Sequence, residues 1–362
     1  MFLAFGEIML RVAPPNLMRF RQALPGALDV TFGGGESNVC ASLAILGRSV
    51  RYLTALPKHS LADALVGSLR NLGIDTDHIV RRDAGRLGIY FLETGANQRS
   101  SQVIYDRAGS AVSLASPEEY DFAVALEDVT RVHVTGITPA LSENAFNATL
   151  GLVRRAAQKG ATVSCDLNFR KKLWRWHPDR DAQTLAAECM SEILPLVDLV
   201  VGNEEDAEKV LGIRAEGTSV EEGKINAAAY EQVARQIHQR FPNVSQVAIT
   251  LRESISASHN NWGAMLLDVK SDAVHFAPLD AEGNYRPYEI RNIVDRVGGG
   301  DSFLAGLVYA LDSEKHAAPD AALRFAVAAS CLKHSIPGDV NYATAADVEA
   351  LAAGQASGRV QR

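Results

Sequence analysis

The chain reads as an α/β protein in which a central, mostly parallel sheet carries helices on both faces and a small β lid. Three observations predict this. From about residue 130, short β-rich runs alternate with amphipathic helical stretches, the pattern of strands joined by helical crossovers. Two early segments, about 7–20 and 86–112, interrupt it with extended, hairpin-like sequence that an open α/β sheet accommodates only as a separate flap. The length of 362 residues, with 47% hydrophobic and 22% charged, supplies a sizeable core and excludes collagen-like, low-complexity and disordered classes. There is no internal repeat, and one continuous domain is expected over 1–362.

The elements follow in order. Met1 to Glu7 opens as a strand, and Glu7 to Phe20 is extended around Pro14-Pro15, the first lid segment. Gly33 to Asn38 begins a helix that ends at Gly47. Ser60 and Asp63 form a cap-like pair ahead of Leu61, Leu65, Leu69 and Leu72, and Gly73 stops that helix. Gly88 to Arg107 is a hairpin turning near Gly95-Ala-Asn, whose period of two puts Tyr105 and Arg107 on one face. The plainer alternative is a surface hairpin with an exposed arginine. Val132 to Thr135 is a strand, followed by a helix with Phe146, Leu150, Val153 and Ala157 on its apolar face and Gly160 at its end. Further strands are expected at Ala161–Asp166, Val197–Val201 and Val247–Leu251, and a helix at Ala321–Lys333. Thr344 with Asp347 caps the last helix, and a frayed tail follows from Gly354.

Lys and Arg number 36 against 43 Asp and Glu, a net charge of −7 without a basic run. The attraction that dominates nucleic-acid binding is therefore missing. No apolar stretch reaches the ~18 residues that span a bilayer, and the start has neither a basic n-region nor a cleavage site. Cys40, Cys165, Cys189 and Cys331 are far apart and lack CxxC spacing, so no disulfide or zinc framework is expected. These features point to a cytoplasmic protein without nucleic-acid or membrane partners.

The segment Val294-Asp-Arg-Val-Gly-Gly-Gly-Asp-Ser-Phe-Leu-Ala-Gly runs from an apolar strand through three glycines into a helix. Without Cβ atoms, the amides of Gly298, Gly299 and Gly300 can turn inward as an anion hole at a helix N-terminus. No Lys follows the glycines and Phe303 stands where a third spaced glycine would be, so neither a Walker A nor a Rossmann fingerprint fits. Asp301 has two readings: an N-cap that satisfies a backbone N–H, or a base that takes a proton from an attacking hydroxyl. The phosphate cradle beside it favours the base.

Asp295 to Asp301 resembles the D-T-x-G-A-G-D signature of the ribokinase-like (PfkB-type) carbohydrate kinases, with Arg296 and Gly299 as substitutions. Gly33-Gly-Gly-Glu-Ser-Asn38 is similar to that family's first motif, which implies sugar contacts from Gly34 and Asn38; a simple helix-start loop is the alternative. Asn203-Glu-Glu-Asp206 resembles its N-x-x-E segment, with Asp206 for Glu, and implies indirect Mg²⁺ organisation by Asn203 and Asp206; an acidic first helical turn would look the same. Asp166-Leu-Asn-Phe-Arg170 resembles the D-x-N-x-R segment of the 2-keto-3-deoxygluconate kinase branch. If extended, it would place Asp166, Asn168 and Arg170 on one face past a strand end. Tyr90, Tyr105 and Arg107 resemble that branch's lid contacts, and Glu7 lies in a G-E-x-M-L opening typical of it. Asp339, in Pro337-Gly-Asp, is a candidate substrate contact or a plain turn residue. The family's Gly-rich nucleotide loop has no counterpart in the Gly-poor stretch 250–263, where Thr250 and Arg252 are expected beside ATP.

The resemblance implies a ribokinase-like three-layer fold and ATP-dependent phosphorylation of a sugar acid, 2-keto-3-deoxygluconate foremost, with Mg²⁺ and a monovalent cation such as K⁺ as cofactors. Arg107 and Arg170 would hold the substrate carboxylate, or else the ATP phosphates. A homo-oligomer paired through the lid is expected. A neutral-sugar kinase and a catalytically weak sugar-binding regulatory protein are the alternatives.

Overall fold

The structure, a computed structural model, describes residues 1–214 and 227–355; the end of the expected tail, 356–362, lies outside them. Its strands, in chain order, are β1 (Phe2–Phe5), β2 (Met9–Ala13), β3 (Asp29–Gly33), β4 (Val50–Leu53), β5 (Ala55–Pro57), β6 (Val80–Arg82), β7 (Ile89–Glu93) and β8 (Gln102–Asp106), then β9 (Arg131–Thr135), β10 (Thr162–Asp166), β11 (Leu199–Gly202), β12 (Gln246–Ser256), β13 (His259–Asp268), β14 (Ala273–Ala277) and β15 (Tyr288–Arg291).

The central sheet runs β14-β13-β12-β11-β10-β9-β1-β4, with β15 also on β13. From β4 to β12 every neighbouring pair is parallel, and β13, β14 and β15 add antiparallel strands at one side. Parallel strands are covered on both faces and read as continuous apolar runs. Accordingly all four residues of β1 are buried, Leu3 and Phe5 in the core on one side and Phe2 and Ala4 in the core on the other. Strands whose residues alternate between two cores need helices on both faces, and this gives the three layers.

Two helices show how the periodic pattern places side chains. Ser142 caps Glu143–Gln158 through the N–H of Ala145, and Phe146, Leu150 and Val153 face the core as expected; Ala156 is buried rather than Ala157. The helix Ser60–Asn71 is capped not by Ser60 but by His59, whose Nδ1 accepts the N–H of Ala62. That one-residue shift buries Ala62, Leu65, Val66 and Leu69 and leaves Leu61 exposed. Helices Gly299–Leu311 and Pro319–Lys333 pack closely, because a Cβ on Gly306 would sit 3.0 Å from the Cα of Ala326.

The lid is a four-stranded sheet, β3-β2-β7-β8. The expected hairpin is β7–β8, and β2 comes from the first lid segment, but β3 lies outside both expected segments. Asp29 to Phe32 is largely exposed, so it lacks the apolar run that would have announced a strand. The Gly-poor stretch 250–263 is not a loop: β12 and β13 continue through it as an antiparallel hairpin turning at Ala257-Ser258.

Candidate active site

The C-terminal ends of β1, β9, β10 and β11 open into a cleft of about 950 Å³ beneath the lid. Strand ends are where open α/β sheets bind ligands, since the helix N-termini and connecting loops converge there. All the candidate residues line this one cleft: Gly34, Asn38, Tyr90, Tyr105, Arg107, Asn168, Arg170, Asn203, Asp206, Thr250, Arg252, Gly298, Gly299, Gly300, Asp301 and Asp339.

The strand expected to lead into the glycines does not form: β15 ends at Arg291, and the N–H of Val294 goes to the carbonyl of His334 instead of a strand neighbour. Asp301 lies in the first turn of Gly299–Leu311. The N-cap is Gly298, at φ +82, and no side chain caps the helix, so the capping reading of Asp301 is set aside. A Cβ on Gly298 would meet the carbonyl of Asp339 at 2.0 Å; left-handed φ and close approach both demand glycine there. The carboxylate of Asp301 accepts from Asn38 Nδ2 at 2.7 Å, while Asn38 Oδ1 accepts the N–H of Gly34 at 3.3 Å. Asn38 thus orients Asp301 and keeps only one amide hydrogen for a ligand. Asp301 retains surface open to the cleft. The protein packed around it pushes its pKa up to about 7; Asn38 pulls it down, and Asp339 and Glu36 push it up.

The Asp166-to-Arg170 segment is not extended. Strand β10 ends at Asp166, whose Oδ1 accepts the N–H of Asn168, and Asn168 has φ +35. This tight turn still delivers all three side chains to the cleft. Burial, then Asp206 and Asp301, raise Asp166 well above the usual carboxylate range. Asp206 is raised by burial, against the pull of Arg170 and of two backbone donors. Those donors are the N–H groups of Phe169 (2.9 Å) and Asn203 (3.3 Å). With Asn203 Oδ1 accepting from Asp206 N, the pair forms a capping box on the helix Glu204–Leu211.

The two arginines differ. Arg107 is buried and ion-paired to Glu7, donating from Nε at 2.6 Å, whereas Arg170 is exposed and donates to the carbonyl of Phe169. Of the two, Arg170 has the more open guanidinium, while Arg107 commits one edge of its own to Glu7 and still lines the cleft. Tyr90 donates to Asp339 at 2.5 Å and stands 6.2 Å from the half-exposed ring of Tyr105. Arg252, on β12, lies near Arg296, which donates to the carbonyls of Ser256 and Ala257; burial and the nearby Arg252 lower the pKa of Arg296.

Sequence reasoning missed the support beneath these groups. Arg11, on β2, donates to Asp339 and to Asp295, both at 2.5 Å. Burial alone would lower its pKa, but the two carboxylates raise it. Glu36 is buried on the hydroxyls of Thr135 and Thr138, both at 2.7 Å, and burial raises its pKa despite them. The available signal was a lone arginine inside the apolar Met9–Ala13 run, since a buried charge requires partners.

The arrangement has known counterparts. Residues 2–344 match the pfkB family carbohydrate kinase profile. The crystal structure of 2-dehydro-3-deoxygluconokinase from Thermotoga maritima is 42% identical and superposes with a TM-score of 0.87 over 98% of each chain. The 2-dehydro-3-deoxygalactonokinase of Haloferax volcanii is 30% identical over 98% of this chain and 97% of its own. The 2-dehydro-3-deoxygluconokinase of Bacillus subtilis is 25% identical over 76% of this chain and 72% of its own. The profile match over residues 2–344, together with 30% identity to the Haloferax volcanii enzyme across 98% of this chain, makes the chain a member of the pfkB family of carbohydrate kinases.

Proposed function

We propose that this kinase transfers the γ-phosphoryl group of ATP to the primary hydroxyl of a 2-dehydro-3-deoxy sugar acid, 2-dehydro-3-deoxygluconate foremost. The observation that carries the reading is Asp301, raised to about 7 and held by Asn38 at 2.7 Å beside the glycine cradle. A carboxylate with that pKa is half ionised at neutral pH and suited to accept the hydroxyl proton as the new P–O bond forms. The amides of Gly298 to Gly300 would then hold charge developing on the transferring group. Arg170 offers the substrate carboxylate a planar fork, and Arg252 with Arg296 adds to the cleft the positive charge that suits ATP.

Mg²⁺ fits the donor set indirectly. It keeps several waters and is held by substrate phosphates with one or two carboxylates. Among the described residues no cluster of three ligating side chains forms a dedicated cage. Both Asp206 oxygens hold backbone N–H groups, so Asp206 and Asn203 would reach the ion through water, whereas Asp166 commits only Oδ1 to a backbone N–H. Bound Mg²⁺ supplies charge neutralisation between the phosphates.

The protein is read as one domain acting in the cytoplasm, and as pairing with a second copy through the lid. Exposed Val30 on β3 and Val103 and Ile104 on β8 support the pairing, which light scattering would read as a dimer mass.

The test is ADP release with Mg-ATP across 2-dehydro-3-deoxygluconate, its galactonate epimer, fructose and ribose. The acids are expected to be turned over and the neutral sugars poorly. Arg170→Ala should raise KM for the acid by a factor corresponding to about 1.5–3 kcal/mol, with KM for ATP little changed. A preference for fructose or ribose, or an ATP-only effect of Arg170→Ala, would move the assignment to a neutral-sugar kinase. No ADP release with any acceptor would leave a sugar-binding protein.

A further inference from the structure

Lys333 ends the helix Pro319–Lys333, and its side chain is fully buried, 0% exposed. An ammonium has three hydrogens to place, and Nζ donates to the carbonyl of Ile336 at 2.9 Å. Burial lowers its pKa, while Asp295, Asp339 and, more weakly, Asp301 act to raise it and Arg11 to lower it. A buried charge is strongly unfavourable without compensation, so its surroundings matter.

The turn that Lys333 closes is the one on which the anion hole rests. Gly338 N–H donates to Asp295 Oδ2 at 3.1 Å, and the carbonyl of Asp339 occupies the space where a Cβ of Gly298 would be. From the same helix Ser330 donates to the carbonyl of Gly299 at 2.7 Å. The carbonyl of His334 accepts the N–H of Val294 at 2.8 Å. The segments 294–299 and 330–339 are thus laced together behind the cradle. Arg11 is ion-paired to both Asp295 and Asp339, and Lys333 brings a second positive charge within electrostatic reach of the same two carboxylates.

We propose that Lys333 is a positioning residue whose ammonium is the chain's own fixed cation behind the glycine cradle, holding the 336–339 turn against Gly298 and offsetting Asp295 and Asp339. The proposal rests on the phosphoryl-transfer reading above. A lysine of purely structural value would affect folding alone. A fixed cation acts on nucleotide binding and turnover, and its effect returns when charge is supplied from outside.

The experiment compares Lys333→Met, which keeps length without charge, with Lys333→Ala, which leaves a space. The folded Met variant is expected to lose roughly 10–100-fold in kcat, as for groups acting through a supporting shell, with KM for the sugar acid little changed. Its affinity for Mg-ATP in equilibrium binding should fall more than its affinity for adenosine. Ammonium or methylammonium at constant ionic strength should restore part of the turnover of Lys333→Ala and none of that of Lys333→Met. Wild-type kcat and Mg-ATP affinity in the folded Met variant would overturn the proposal. So would losses that track only the folded fraction in both variants, without an ammonium response. If the wild-type protein releases no ADP with any acceptor, the kinase reading fails by itself, while the comparison of Mg-ATP with adenosine still decides the role of the charge.

Discussion

At the scale of single residues, the proposed phosphoryl transfer rests on Asp301 and on Asn38, which donates to it at 2.7 Å. Asp301→Asn cannot take a proton, so kcat is expected to fall by about 10²–10⁴-fold with sugar affinity little changed. In the wild-type protein kcat/KM should rise with pH to a plateau above about 7, because the carboxylate form is the active one. Stability runs the other way. The folded pKa of about 7 lies above the unfolded value of ~3.9, so the stability from the bound proton is fully present below the unfolded value and is lost as pH rises through 7. Melting temperature against pH should therefore fall less steeply for Asp301→Asn. Normal turnover by that variant would return Asp301 to a structural part.

At the scale of elements, the glycine cradle separates backbone need from chemical need. Gly298→Ala must adopt φ +82 and meets the carbonyl of Asp339 at 2.0 Å. It should lose at least about 1–2 kcal/mol in denaturant unfolding, along with turnover. At Gly300 an added Cβ meets nothing within 4 Å, so Gly300→Ala should unfold like the parent, and any loss of its activity reports on the ligand alone. Equal stability of the two variants would mean that the Gly298 turn relaxes without strain. The turn after β10 belongs to the same scale. Asp, Asn and Arg at alternate positions marked that site in the sequence, but their convergence comes from the φ +35 of Asn168 and the bond from its N–H to Asp166, not from an extended face.

At the scale of the molecule, Arg11 ties lid to body. It projects from β2 of the lid sheet to Asp295 and Asp339, which lie near the N-terminus of the helix Gly299–Leu311 but 284 and 328 residues away in the chain. Arg11→Met removes the guanidinium ion-paired to both buried carboxylates and should cost about 3–5 kcal/mol of unfolding free energy near neutral pH. A loss below about 1 kcal/mol would show that the bridge behaves like a solvent-screened surface pair.

Alternating strand and helix patterns, the three glycines before Asp301 and the polar triplet after β10 determined the α/β body, the helix-borne cradle and the membership of the site, because these features depend on neighbours within one or two turns of chain. The tertiary structure decided what those residues do to one another. It committed Arg107 to Glu7 and left Arg170 open, set Asn38 on Asp301, placed Arg11 and Lys333 under the cradle, recruited β3 to the lid and continued residues 250–263 as a hairpin. The physical reason is that charge pairing and edge-strand pairing join residues scores to hundreds of positions apart. Burial sets their energies, and local sequence carries no record of which distant group will be nearest once the chain has closed.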